Sequence, residues 1–173
     1  MKKNFFDKKI VKKPWGSEYV IYKDQNSIEH KTYTKEEISN LSGEQILENI
    51  LNANLFTFFR QRPFNVIPNH KILPRDIFIS GFSTSPLAVD FEVVMASQLK
   101  DFQYGIDAIS KLTKGSVFLT TKRNSILSTI ENVRLNTISG PHPAGNVGIQ
   151  IHHIAHLKPG EVVWTINPQD VAS

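Results

Sequence analysis

Four histidines, His142, His152, His153 and His156, fall within one fifteen-residue stretch, and they are the side chains of this sequence best suited to chemistry. Imidazole titrates near neutral pH and ligates metals, so such a cluster can brace a loop, move a proton or hold an ion. His152 and His156 stand four apart, a spacing that aligns them on a helix, while Ile149, Ile151 and Ile154 leave the local period open. Zinc needs three or four converging ligands. The nearest carboxylate, Glu161, lies beyond Pro159-Gly160, so no metal site is assigned.

Directly before the cluster runs Ser139-Gly140-Pro141-His142-Pro143-Ala144-Gly145-Asn146-Val147-Gly148, with three glycines and two prolines in ten residues. Glycine lacks a Cβ and admits positive φ, so this loop brings main chain close to something. The spacing is neither G-x-G-x-x-G nor a Walker A loop, because Ile149 follows Gly148. The readings that remain are backbone packed against a neighbouring subunit or another element, and an approach path for a flat organic ligand. Ser-x-x-Lys, G-x-S-x-G and H-E-x-x-H patterns are absent. Glu36-Glu37 sits on a polar, solvated segment. The run Phe56-Thr57-Phe58-Phe59-Arg60-Gln61-Arg62-Pro63-Phe64 reads either as a helix end on the core or as a face for a partner or an anion.

The elements that must position these residues are short. Ser42, with Gln45 three positions on, opens a helix by a capping box, and Ile46, Leu47, Ile50, Leu51 and Leu55 keep its period until Pro63 stops it. Strands are expected at 76–81, 116–121, 133–138 and 162–166, with a shorter one at 19–22. Asp90 caps a helix bearing Phe91, Val94 and Met95, and a second helix carries Phe102, Ile106, Ile109 and Leu112. Strands alternating with helices predict an α/β fold with a mostly parallel sheet and flanking helices, Rossmann-like in class. Ligands of such sheets meet the loops at the carboxyl ends of the strands, where Ser80–Pro86 and Ser139–Gly148 would lie.

Composition sets outer limits. The 173 residues suffice for one domain with a real core. The absence of cysteine excludes a disulfide scaffold, a thiol nucleophile and a cysteine-held cluster. Seven lysines against three acidic groups fall in residues 1–24, while the remainder holds 13 basic and 13 acidic groups. Basicity therefore belongs to the amino-terminal arm, and no nucleic-acid partner is read from it. Phe5-Phe6 is followed by Asp7 and further lysines, so neither a secretion signal nor a spanning helix is expected.

Several ordered motifs resemble the A subunit of the Na+-translocating NADH:quinone oxidoreductase. They are Leu41-Ser42-Gly43-Glu44, Arg60-Gln61-Arg62-Pro63-Phe64, Pro74-Arg75-Asp76-Ile77-Phe78-Ile79-Ser80, Ser85-Pro86-Leu87-Ala88, Lys100-Asp101-Phe102-Gln103, Ser139-Gly140-Pro141-His142-Pro143-Ala144-Gly145 and Val163-Trp164-Thr165-Ile166-Asn167-Pro168-Gln169-Asp170-Val171. The likeness runs from about residue 28 to the end and implies roughly the second third of that family's chain. Residues 1–27 are set apart as a basic extension. Within it Lys13-Pro14-Trp15-Gly16-Ser17-Glu18 is similar to the start of cupin-type sugar-phosphate isomerases, without the metal-binding histidines those enzymes need, and is read as adventitious.

The resemblance implies a peripheral subunit on the cytoplasmic side of the bacterial inner membrane, docked chiefly on a membrane subunit of a complex that oxidises NADH, reduces ubiquinone and pumps sodium. It implies a fold similar to the flavin-binding fold of the NADH-oxidising subunit of complex I, with no cofactor bound by this chain. No glycine-rich flavin loop is present, which argues against FMN. Ubiquinone is the possible ligand. On this reading Gly140, His142, Gly145, Gly148, His152 and Phe82 contact quinone or a partner, His142 hydrogen-bonds a quinone carbonyl, and Ile149 and Ile151 help line the slot. Phe59, Arg60, Arg62 and Phe64 form a partner rim. A pure docking module without ligand contact and a residual flavin or NADH domain are the alternatives. No turnover is expected of this chain alone.

Overall fold

Strand periodicity governs the packing of the larger unit. Ile77, Ile79, Val117, Leu119, Trp164 and Ile166 point to one side of a sheet, into a cluster with Phe102, Ile106, Ile109 and Leu112. Phe78, Phe118 and Val163, one residue out of step, join Ile151 on the other side. Successive strand side chains alternate faces, so short runs that are apolar throughout demand cover on both.

The computed structural model describes residues 7–12, 18–23 and 33–172. The chain divides into two units, Met1–Thr32 and Tyr33–Ser173. In the first, β1 (Asp7–Lys12) pairs antiparallel with β2 (Glu18–Lys23), placing Asp7 opposite Lys23 and Lys12 opposite Glu18. β2 meets the expectation of a strand at 19–22. β1 was not foreseen, because its lysines mask the short Ile10-Val11 pair. The turn signal Pro14-Trp15-Gly16 lies outside the described residues.

In the second unit β3 (Arg60–Arg62), β4 (Ile77–Ser80), β5 (Val117–Thr121), β6 (Arg134–Thr137) and β7 (Val163–Ile166) form a five-stranded sheet of order β3-β7-β4-β5-β6. The last four are parallel, and β3 runs antiparallel on the β7 edge. The fold is thus α/β with a mostly parallel sheet, as the alternation of strands and helices predicts. One face carries α1 (Lys35–Asn40), α2 (Gly43–Asn52), α3 (Phe91–Met95), α4 (Leu99–Ile109) and α6 (Pro168–Val171); the other carries α5 (Val147–Ile154). Among the described residues no helix is long and apolar enough to cross a membrane.

Local chemistry explains most element boundaries. The Ser42–Gln45 capping box opens α2, and Thr34–Glu37 does the same for α1, which the polar sequence there concealed. Asp90 accepts from the Glu92 amide at the start of α3. Lys111 Nζ donates to the carbonyls of Ile38, Ser39 and Leu41 at 2.7–2.8 Å, stabilising the carboxyl end of α1.

The expected helix up to Pro63 is not formed. α2 ends at Asn52, Asn54 takes φ 58°, and a 3₁₀ turn at Leu55–Phe58 leads into β3. Pairing of Arg60–Arg62 with Val163–Thr165 and the edge-on packing of Phe56 and Phe59 against Trp164 at 5.4 and 5.5 Å outweigh the helical pattern. The 124–131 segment becomes a 3₁₀ turn at Ile126–Thr129, and the unsettled period at 149–154 resolves as α5.

Gly105, in mid-α4, has no room for a side chain. A Cβ there would lie 2.1 Å from the Val171 carbonyl oxygen of α6. Gly105→Ala is expected to destabilise the chain by about 1–3 kcal/mol, against the small gain alanine gives an exposed helix. Thermal unfolding of the full chain followed by circular dichroism checks this. A raised melting temperature would show that α6 yields without loss.

Candidate functional site

β4 is the parallel strand from which the chain first steps outward through β5 to β6 and then returns to lay β7 on the opposite side. The loops that leave β4 and β7 therefore diverge, and the carboxyl ends of these two strands bound a crevice. Open α/β sheets bind ligands at such a switch of strand order. A cleft of about 460 Å³ occupies that position. Its wall is built by Ser80 at the end of β4, Phe82 and Ser83 beyond it, Asn167 and Gln169 after β7, Phe91 and Val94 of α3, Gly145 of the glycine loop and Val147 at the start of α5.

The floor is held by a fully buried glutamine. Gln150 Nε2 donates to Ser80 Oγ at 2.9 Å and lies 3.4 Å from the Ala144 carbonyl, so α5, β4 and the glycine loop share one donor group. Ser80 Oγ in turn donates to the Phe82 carbonyl at 2.9 Å. Asn167 Nδ2 donates to Asp170 at 2.9 Å. An amide nitrogen carries two hydrogens, which leaves Asn167 a second donor for a bound group. None of the lining residues is ionisable. The cleft can bind and orient a molecule; its side chains do not supply acid–base catalysis.

The glycine loop lies against this wall. A Cβ on Gly145 would fall 2.3 Å from the Thr84 amide nitrogen and 2.8 Å from the Ser83 backbone. The Gly145 amide donates to Thr84 Oγ1 at 2.9 Å, and the same hydroxyl is 3.3 Å from His142 Nδ1. The close approach that glycine permits is thus made by Ser83 and Thr84 of the same chain. The loop is clamped to the β4 loop, and one side of Gly145 still faces the cleft.

Of the residues singled out from the sequence, Phe82 and Gly145 come together in the cleft. His142 does not line it; it is exposed and turned to Thr84. Gly140 is exposed at φ 154°, and Gly148 falls in the first turn of α5, its amide donating to Asn146 Oδ1 at 2.9 Å. His152 lies away from the cleft, toward the other end of α5, where its Nδ1 is 3.0 Å from that of His156. Ile151 is buried between α5 and the sheet, and Ile149 is half-exposed outside the cleft. Among the described residues no group of three His, Asp or Glu side chains is placed to hold a metal.

The rim separates similarly. Phe64 is 77% exposed, whereas Phe59 is only 2% exposed and belongs to the core beside Trp164, so Phe59 is not a rim residue. Its bulk fills the gap under β7, and the adjacent arginines carry the polar edge. Sequence reasoning missed Asn167, Val147 and the α3 residues as wall. The signal available was Asn167-Pro168, a cap and helix start placed directly after a strand.

At the opposite ends of the strands a second polar group serves structure. Arg75 Nε donates to Asp76 at 2.7 Å, Nη2 to the Ala155 carbonyl at 2.9 Å, and Nη1 pairs with Glu161. Asp76 also accepts from the Ser116 amide at 2.9 Å. The Glu161 carboxyl is held below the usual carboxylate range, first by the Lys158 amide hydrogen bond, against an opposing effect of burial, and then by the Arg75 charge. A depressed folded pKa adds stability that is complete above the unfolded value, about 4.3, and disappears as pH falls through the lower folded value. The melting-temperature gap between the wild-type chain and Glu161→Gln is therefore expected to be widest near neutrality and to close as pH falls through the lowered folded value, where glutamic acid and glutamine become near-isosteres. A gap that persists in acid would remove Glu161 from this account.

The model of a family described as the NqrA second alpha/beta domain matches residues 41–173. Among similar curated proteins, a Na(+)-translocating NADH-quinone reductase A subunit from Marinomonas sp. (strain MWYL1) is 36% identical over 142 residues, covering 82% of this chain and 32% of its own. One of the same name from Glaesserella parasuis serovar 5 (strain SH0165) is 36% identical over 166 residues, 94% of this chain and 35% of its own. Another, from Yersinia pseudotuberculosis serotype O:1b (strain IP 31758), is 37% identical over 150 residues, 86% and 33% respectively. The chain spans about a third of the length of the curated relatives it matches.

Proposed function

The chain belongs to the NqrA second alpha/beta domain family, and from that premise we propose that Tyr33–Ser173 is a positioning domain of a Na+-translocating NADH-quinone reductase, offering its β4–β7 cleft to quinone. The observation that carries this reading is the cleft's chemistry. It has the volume of a small-molecule site, apolar walls from Phe82, Phe91, Val94 and Val147, a polar end at Ser80 and Asn167, and no ionisable lining. A neutral flat ring with carbonyl acceptors suits such a slot. The Asn167 amide is assigned the carbonyl hydrogen bond, and His142 the bracing of the loop through Thr84. The chain binds no electron carrier of its own in this role; it sits peripherally on the cytoplasmic side of the membrane, against a membrane subunit.

The test is photolabelling of the full chain with a photoreactive ubiquinone analogue. Label is expected on the Phe82–Phe91 segment or at Asn146-Val147, competed by unlabelled short-chain quinone. Val94→Trp, which fills the slot from a half-exposed position, is expected to cut labelling about tenfold, roughly 1.4 kcal/mol of binding. Equal labelling of wild type and Val94→Trp would overturn the quinone reading.

One observation favours a second reading, docking alone. Leu87, Val89 and Val93 stand exposed on the β4–α3 loop and α3, with Val89 on the cleft wall. If Val93→Asp abolishes capture by the membrane subunit while no quinone label is found, the domain is an assembly module.

A further inference from the structure

Beside the cleft, sharing Ser80, Val147 and Asn167 with it, lies a smaller recess of about 180 Å³ whose other walls include Arg60, Arg62 and Asn65. We propose that this recess is an oxyanion site, and that recess and cleft together take a soluble organic anion whose phosphate or carboxylate meets Arg60 and Arg62 while its apolar body lies along Phe82 and Val94.

The register of β3 brings the arginines together. Arg60 pairs with Thr165 and Arg62 with Val163, two residues apart on one strand, so both side chains leave the same face of the sheet, the face covered by α5. Arg60 is fixed by its Nη1, which donates to the carbonyls of Thr57 and Phe59. Arg62 is half-buried, and its Nε is shielded from solvent without a hydrogen-bond partner among the described residues. No ion pair joins either arginine to a carboxylate among the described residues.

A desolvated guanidinium with no counter-charge is costly, and burial here pulls the Arg62 pKa down. Charges of this kind are retained where an anion arrives to pair with them, since arginine presents a planar fork that matches phosphate and carboxylate. The α5 amino-terminal end at Val147 adds its positive dipole to the same recess. The recess has apolar wall of its own at Phe58, Val147 and Ile166, and the adjoining larger cleft adds Phe82, Phe91 and Val94, so the two compartments select an amphipathic ligand over a bare ion.

This inference goes beyond the quinone reading and stands apart from it, because a neutral quinone needs no arginine. The probe is phenyl phosphate, titrated into the full chain and followed by the shift of amide resonances for residues 60–66, 80–84 and 146–148. Saturable binding is expected, at least tenfold weaker for phenol and for inorganic phosphate, and weakened by added salt. Arg62→Gln is expected to lose about tenfold in affinity and Arg62→Lys to lose less, with melting temperatures confirming that both variants fold. Arg134→Gln, on the far edge strand, is expected to bind as wild type. Equal affinity in Arg62→Gln, or inorganic phosphate binding as tightly as phenyl phosphate, overturns the proposal, as does absence of saturation. Quinone labelling that persists in Arg62→Gln leaves the quinone reading standing whichever way the titration falls.

Discussion

Gly145→Val is expected to empty the β4–β7 cleft of ligand. The new Cβ would meet the backbone of Ser83 and Thr84 at 2.3–2.8 Å, main-chain atoms that cannot rotate aside as a side chain would. The two loops must separate, which breaks the Gly145 amide to Thr84 hydroxyl bond and, with it, the contact to His142. One wall of the cleft moves away from Phe82, and the apolar contact that holds a flat ring is lost. Quinone-analogue labelling is expected to drop by at least about tenfold, or more than roughly 1.4 kcal/mol. His142→Ala, which removes a brace and leaves the wall in place, is expected to cost less than Gly145→Val. The order matters: labelling that survives Gly145→Val and fails in His142→Ala would assign the ligand to the histidine and away from the cleft.

Arg75→Met is expected to be the most destabilising single polar change. It leaves Asp76 as a buried charge without its cation, strips Glu161 of the same partner and frees the Ala155 carbonyl that closes α5. Breaking a buried pair by removing one partner costs several kcal/mol; the side chain is 30% exposed, and water offsets part of that, so a loss of about 2–4 kcal/mol is expected. For a chain of this size that lowers the melting temperature by roughly 5–12 °C. Calorimetry on the full chain at neutral pH reads this directly. A change under about 2 °C would mean that the Asp76 hydrogen bond from Ser116 suffices without the arginine.

β4, β5 and β7 were legible because each is a short apolar run bracketed by turn residues, and burial on both faces leaves no other use for such a run; β6, largely exposed at the sheet edge, showed only as an alternating run. α2 was legible from Ser42 and Gln45. β3 was not: Arg60-Gln61-Arg62 carries no apolar signal, and its strand state comes from pairing with Val163–Thr165, far along the chain. α5 escaped assignment because Gln150 and the histidines interrupt its apolar period, and the reason Gln150 is buried, its bond to Ser80, exists only in three dimensions. Gly145 was rightly marked as a point of close approach. Sequence alone does not say what approaches, and here it is Ser83 and Thr84. Asn167 and Val94 reach the cleft only through strand order, which no local pattern encodes.

The Arg75 group and the β4–β7 cleft occupy opposite poles of the same parallel strands. Robustness is thereby concentrated at one pole and recognition at the other, and substitutions at the two share no side-chain partner. Their free-energy effects are expected to sum. Such a layout lets the ligand-facing loops diverge in sequence, toward a new substrate or a new neighbour, without drawing on the reserves that keep the domain folded.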